Sequence, residues 1–85
     1  MEIHKGELGL GATWQQEFPK TTKCVYCGGE ARVGFTAMER SETPGNYISD
    51  LYDNKNHSMW LHDACAVSVY FCKECLQPTA LYNQA

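Results

Sequence analysis

Hydrophobic and polar positions alternate with a period of two after residue 30. Ala31, Val33, Phe35 and Ala37 interleave with Arg32, Gly34, Thr36 and Met38, the pattern of a strand with one buried face. Gly34 within the run predicts a bulge or a close approach by another group, because glycine otherwise weakens a strand. The longest apolar stretch covers residues 59–72 and predicts a central strand. Its expected inner face is Cys65, Val67, Val69 and Phe71; Ala64, Ala66, Ser68 and Tyr70 form the other face, where small side chains let a second layer come close. β-branched and aromatic residues favour strand over helix here. A shorter strand, Pro78 to Tyr82, returns beside it, with Pro78 at the start where no ladder hydrogen bond is lost.

Two stretches fall outside this pattern. Residues 1–23 read as an N-terminal arm, since Gly6, Gly9 and Gly11 interrupt any helix and Leu8, Leu10 and Trp14 follow no long period. Trp14 and Phe18 are expected to pin this arm onto the sheet. The run Gly9-Leu10-Gly11-Ala12-Thr13 lacks the lysine and the preceding hydrophobic strand of a phosphate-binding loop. Residues 41–58 carry two turn signals, Pro44-Gly45-Asn46 and Asp53-Asn54-Lys55-Asn56, and read as an inserted loop. Tyr47, Ile48, Leu51 and Tyr52 lie between those signals at helical offsets. A loop of this length in a small domain is a candidate binding segment, with Tyr47 and Tyr52 as aromatic anchors.

The cysteines add chemistry to the pattern. Cys24-Val25-Tyr26-Cys27 and Cys72-Lys73-Glu74-Cys75 are two C-x-x-C pairs, one before the first long strand and one after the second. Two intervening residues let both sulfurs of a pair face one metal while backbone N–H groups of the turn point at them. Gly28 after the first pair suits the positive φ such a turn demands; Leu76 after the second does not. The fifth cysteine, Cys65, has no partner at that spacing, and a pure disulfide framework would leave one thiol over. A buried, non-ligating Cys65 and four metal ligands account for all five.

Length and charge narrow the picture. An 85-residue chain with 44% hydrophobic and 20% charged residues is expected to be one globular domain, 1–85, too small to hold itself together comfortably without a staple. The net charge of −3 becomes −5 with four thiolates and one divalent zinc. Seven Lys and Arg scattered among ten acidic residues weigh against a phosphate-backbone binder, although Lys20, Lys23, Arg32 and Lys73 flank the cysteine pairs. No apolar run reaches the ~18 residues of a membrane span, and the first twenty residues lack the basic start and apolar centre of a signal peptide. A cytoplasmic protein without a membrane segment is expected.

On residues 24–40 and 60–82 the chain resembles the zinc-ribbon group, whose rubredoxin-like knuckles are two C-x-x-C turns joined by antiparallel strands. The resemblance implies a small mostly-β fold, with Cys24, Cys27, Cys72 and Cys75 as ligands of one zinc. Four thiolates fill the tetrahedron and leave no position for a catalytic water, so a structural metal and no enzymatic activity are expected. The output is then binding to a macromolecule, foremost a protein partner. A rubredoxin-like iron electron-transfer protein is the alternative, since the same ligands hold iron. Against it, neither Cys24 nor Cys72 is followed by proline, and Leu76 stands where the family has glycine. A nucleic-acid-binding ribbon is the second alternative, and the acidic charge counts against it.

His62 and Cys65 invite a second metal pair or a Cys–His nucleophile, with His57 and Asp63 as the nearby candidate ligands. An odd offset on an extended strand puts His62 and Cys65 on opposite faces, so neither reading is adopted.

Overall fold

The computed structural model describes residues 2–38 and 65–84. The expected 41–58 loop, with Tyr47 and Tyr52, lies outside the described residues, as do His57, His62 and the first part of the 59–72 run. The elements are β1 (Glu2–Lys5), a 3₁₀ turn (Gly6–Gly9), β2 (Thr21–Lys23), β3 (Glu30–Met38), β4 (Cys65–Cys72) and β5 (Pro78–Gln84). They form one antiparallel five-stranded sheet in the order β1-β3-β4-β5, with β2 also on β3. This is the small mostly-β fold the strand pattern implies, and it is compatible with a zinc ribbon. No helix among the described residues is long and apolar enough to cross a membrane.

Register decides where the cysteine pairs go. Lys23 pairs with Glu30, so residues 24–29 turn the β2–β3 hairpin; Phe71 pairs with Pro78, so the second cysteine pair turns the β4–β5 hairpin. Ala31 lies opposite Cys72, which brings both turns to the same end of the sheet.

The arm reading of residues 1–23 needs correction, because this segment supplies two strands. β1 pairs with the far half of β3, Glu2 opposite Met38, and β2 pairs with the near half, Thr21 opposite Arg32. Strands of four and three residues are too short to leave a periodic trace, and they form only because β3 offers them an edge. Between them the chain leaves the edge and lays Leu10, Ala12 and Phe18 against Met38 and Ala66 as one buried cluster. Phe18 thus pins the segment as expected. Trp14, at 49% exposure, does not.

Which face is buried also differs from the expectation. The inner face of β4 is Ala66, Ser68, Tyr70 and Cys72, whereas Phe71 is exposed and Val67 and Val69 are half-buried. Small side chains at 66 and 68 are what let residues 10–18 approach, and Tyr70 spans the remaining gap, its hydroxyl donating to the carbonyl of Pro19 at 2.6 Å. A second cluster of Cys24, Ala31, Tyr70 and Cys72 carries the core to the cysteine turns, with Val33 and Leu81 packed against both clusters. Cys65 is fully buried, as expected, but on the opposite face.

β3 does not keep a single alternation. The register with β4 shifts between Val33 and Phe35, so Gly34 is a bulge and the buried positions change from Ala31 to Thr36 and Met38. A side chain at 34 would meet the ring of Phe71. That ring also contacts Phe35, with centroids 6.4 Å apart and planes tilted by 46°. Thr36, brought inward by the bulge, donates its hydroxyl to Ser68 at 3.0 Å within the core.

Candidate metal centre

Each cysteine pair sits in the same hydrogen-bonded turn. The amide of Gly28 donates to the carbonyl of Cys24 at 3.0 Å, and the amide of Leu76 to that of Cys72 at 3.1 Å. The amides of Cys24 and Cys72 close the two turns onto the carbonyls of Gly29, at 2.8 Å, and Gln77, at 3.1 Å. Both turns are also tied crosswise. The Val25 amide donates to Thr79 Oγ1 at 3.1 Å, and the Lys73 amide to the Glu30 carbonyl at 3.1 Å, so each turn is held by the hairpin of the other. Neither Thr79 nor Glu30 stands out in the sequence, since nothing local marks a hydrogen bond made across the sheet. The Glu30 carboxylate also meets Arg32 at 3.1 Å and Lys73 at 3.3 Å, and these contacts hold it below the usual carboxylate range. These pairs are solvent-exposed and add little stability.

The outcome is a cluster of four thiols. The sulfurs of Cys24, Cys27, Cys72 and Cys75 lie within 4.8 Å of one another, with Cys24 to Cys75 at 3.6 Å and Cys27 to Cys72 at 3.5 Å. Four sulfurs at the usual bond length around one zinc are separated by about 3.8 Å, so the set fits a tetrahedral ion. Cys65 is not in the cluster. Backbone amides aim at the sulfurs as well: Tyr26 donates to Cys24, Gly29 to Cys27, and Glu74 and Cys75 to Cys72, each at 3.4 Å.

Charge inside the cluster is in conflict without a cation. The amides of Cys27 and Tyr26 lower the Cys24 thiol to about 6, against the opposing effect of burial. The amides of Cys75 and Glu74 lower Cys72 likewise. Around Cys75 the Gln77 amide favours the thiolate, but burial and the other three sulfurs outweigh it and push this thiol up to about 12. Cys27 is raised too, its Gly29 amide being outweighed chiefly by Cys72 and burial. Two sulfurs thus shed protons easily, and their charge makes the other two hold theirs. A cation at the centre removes the conflict, because it replaces protons on all four.

The two turns differ at one place. Gly28 and Leu76 occupy equivalent positions and both have positive φ, 78° and 64°. Leucine there crowds its Cβ against the backbone, and at 76% exposure the side chain gains almost no burial in return. Leu76→Gly is therefore expected to stabilise the metal-loaded protein by about 1 kcal/mol, read as a higher denaturant midpoint with unchanged metal content. Val25 and Tyr26, at 72% and 66% exposure, project from the other turn, so the metal end of the sheet presents three apolar side chains to solvent.

Compared with family models, curated proteins and solved structures, the chain shows no significant match to any. The resemblance to zinc ribbons rests on the two turns, the sheet that joins them and the four converging thiols.

Proposed function

We propose that this chain is a non-enzymatic zinc-ribbon protein with one structural zinc bound by Cys24, Cys27, Cys72 and Cys75, and that it acts by binding another protein. The observation that carries this reading is the convergence of the four sulfurs within 4.8 Å. A metal bound by four thiolates crosslinks the two hairpins and retains no position for substrate. The exposed trio Val25, Tyr26 and Leu76 supports a contact role for the metal end, since solvent-facing apolar side chains on rigid turns favour a partner's surface. Lys20 pairs with Glu7, and Arg32 and Lys73 with Glu30. Three of the four cations near the turns are thus engaged by carboxylates, and the chain is acidic overall, which supports a protein over a nucleic acid. Two C-x-x-C pairs converging as metal ligands suit a reducing, cytoplasmic setting.

Elemental analysis of untagged protein with a visible absorption spectrum tests the metal. One zinc per chain and no colour is the expected result; the absorption of ferric thiolate would establish the electron-transfer alternative instead. Salt-dependent retention on immobilised DNA or RNA would favour a nucleic-acid ligand.

A further inference from the structure

The two edges of the sheet are finished differently. On one side β1 and β2 are strands of four and three residues, separated where the chain leaves the sheet and carrying Glu2, Lys5 and Lys23. Short, charged strands are the form in which an edge resists further pairing. On the other side β5 is seven residues long, Pro78-Thr79-Ala80-Leu81-Tyr82-Asn83-Gln84, without an acidic or basic side chain. It pairs with β4 one to one along its whole length, with no bulge to twist it away. The Gln77 carbonyl accepts from the Cys72 amide at 3.1 Å. By the alternation of an antiparallel ladder, residues 79, 81 and 83 therefore turn their backbone groups toward β4, and residues 78, 80, 82 and 84 turn theirs outward. Pro78 has no amide to offer, but Ala80 and Tyr82 each present an N–H and a C=O. Among the described residues no hydrogen bond reaches these groups, and Pro78, Ala80 and Tyr82 are exposed.

We propose that this edge pairs with the same edge of a second copy of the chain, β5 against β5 antiparallel, so that one continuous sheet crosses a twofold axis at Leu81. Turning the strand end for end about Leu81 puts Ala80 opposite Tyr82 of the second copy, and Tyr82 opposite its Ala80. Both positions face outward, so every outward amide at 80 and 82 finds a carbonyl. A small side chain then lies beside a large one on one face of the sheet, and Thr79 lies opposite Asn83 on the other. With no charge along the strand, identical copies meet without like-charge repulsion, and nothing on it selects an oppositely charged segment of another protein. Leu81 meets its own copy in a non-hydrogen-bonded pair, with Cα atoms about 4.5 Å apart. Beside it, between β5 and residues 16–19, is a cavity of about 680 Å³ whose lining includes Phe18, Pro19 and Leu81. The second Leu81 enters that cavity, and each leucine, half-buried in the single chain, becomes buried in the pair. The inference stands apart from the binding role given to Val25, Tyr26 and Leu76, none of which lies on β5.

The test uses the full zinc-loaded chain. Sedimentation over a concentration series is expected to show a reversible dimer. Amide hydrogen exchange, read residue by residue, is expected to show the N–H groups of Ala80 and Tyr82 slowed about tenfold or more as the dimer fills. Ala80→Pro removes one outward N–H from each copy and no bond to β4, since position 80 is turned away from that strand. Zinc content should be unchanged and the dimer at least about tenfold weaker. Should proline disturb the strand, Ala80→Lys keeps the backbone and places a charge on the shared edge, the device by which natural edges stay single; the same loss of dimer is expected. A protein that remains monomeric up to about 1 mM would overturn the proposal and leave β5 to a strand of another protein. So would a dimer whose Ala80 and Tyr82 amides exchange as freely as in the monomer, or one that neither substitution weakens, since another surface would then hold it together.

Discussion

Cys72→Ser is expected to abolish both metal binding and the cooperative thermal transition. Cys72 ends β4, is buried at the junction of the core with the metal end, and accepts amide hydrogen bonds from Glu74 and Cys75. Loss of one thiolate opens the tetrahedron, and metal binding in small zinc modules contributes of order 10 kcal/mol to folding. That is comparable to the ~5–15 kcal/mol net stability of an ordinary domain, so the cooperative fold is expected to be lost without it. Circular dichroism on heating together with elemental analysis checks this outcome; a serine variant with full metal content and its original transition would remove Cys72 from the ligand set. Acid should mimic the substitution. With metal bound, protons compete for the same four sulfurs, and acidification releases the ion.

The second large effect is expected far from the metal. Gly9→Ala should destabilise the protein by about 1–3 kcal/mol, the usual cost of overpacking a close contact. A Cβ on Gly9 would lie 2.8 Å from both Cβ and Oγ1 of Thr36 and 2.9 Å from the carbonyl oxygen of His4. Little around it can yield: Thr36 is fully buried and hydrogen-bonded to Ser68, and the His4 carbonyl belongs to a paired strand. The same added methyl at position 11 would meet nothing closer than 3.6 Å, the tip of the Glu17 side chain. Gly11→Ala is therefore the control. Denaturant melts of both variants at fixed metal content separate a loss of packing from a loss of metal, and equal midpoints would show that residues 6–20 do not pack tightly on β3.

Several features of the sheet were legible before any coordinates. β3 showed through its alternation, β5 through Pro78 at its start, and the bulge through Gly34, because each follows from backbone geometry over a few neighbouring residues. β1 and β2 were not legible: their few residues acquire strand geometry from β3, and no local pattern encodes an edge that β1 finds thirty or more residues away and β2 finds across the first cysteine turn. The phase of β3 was half legible. A glycine announces a bulge, but the resulting exchange of faces, which turns Thr36 inward to meet Ser68, appears only once the partner strand is in register.

Local sequence is sufficient for the cysteine chemistry and the strand type. Two residues between paired cysteines are enough to shape a ligand turn whatever surrounds it, and a period of two with β-branched residues specifies extended chain. Tertiary structure alone decided which face of β4 is core. Hydrophobicity favoured Val67, Val69 and Phe71, yet the buried side is the one with Ala66 and Ser68, because the strand packs where the 10–18 segment can come close and where Tyr70 finds the Pro19 carbonyl. Burial is settled by the layer that arrives, and close-packed interiors select for fit as much as for apolarity. The same holds at the metal end, where spacing named the four sulfurs, but only the folded turns show that Glu74 fills the space over Gly29 and that Leu76 retains a positive φ after Cys75.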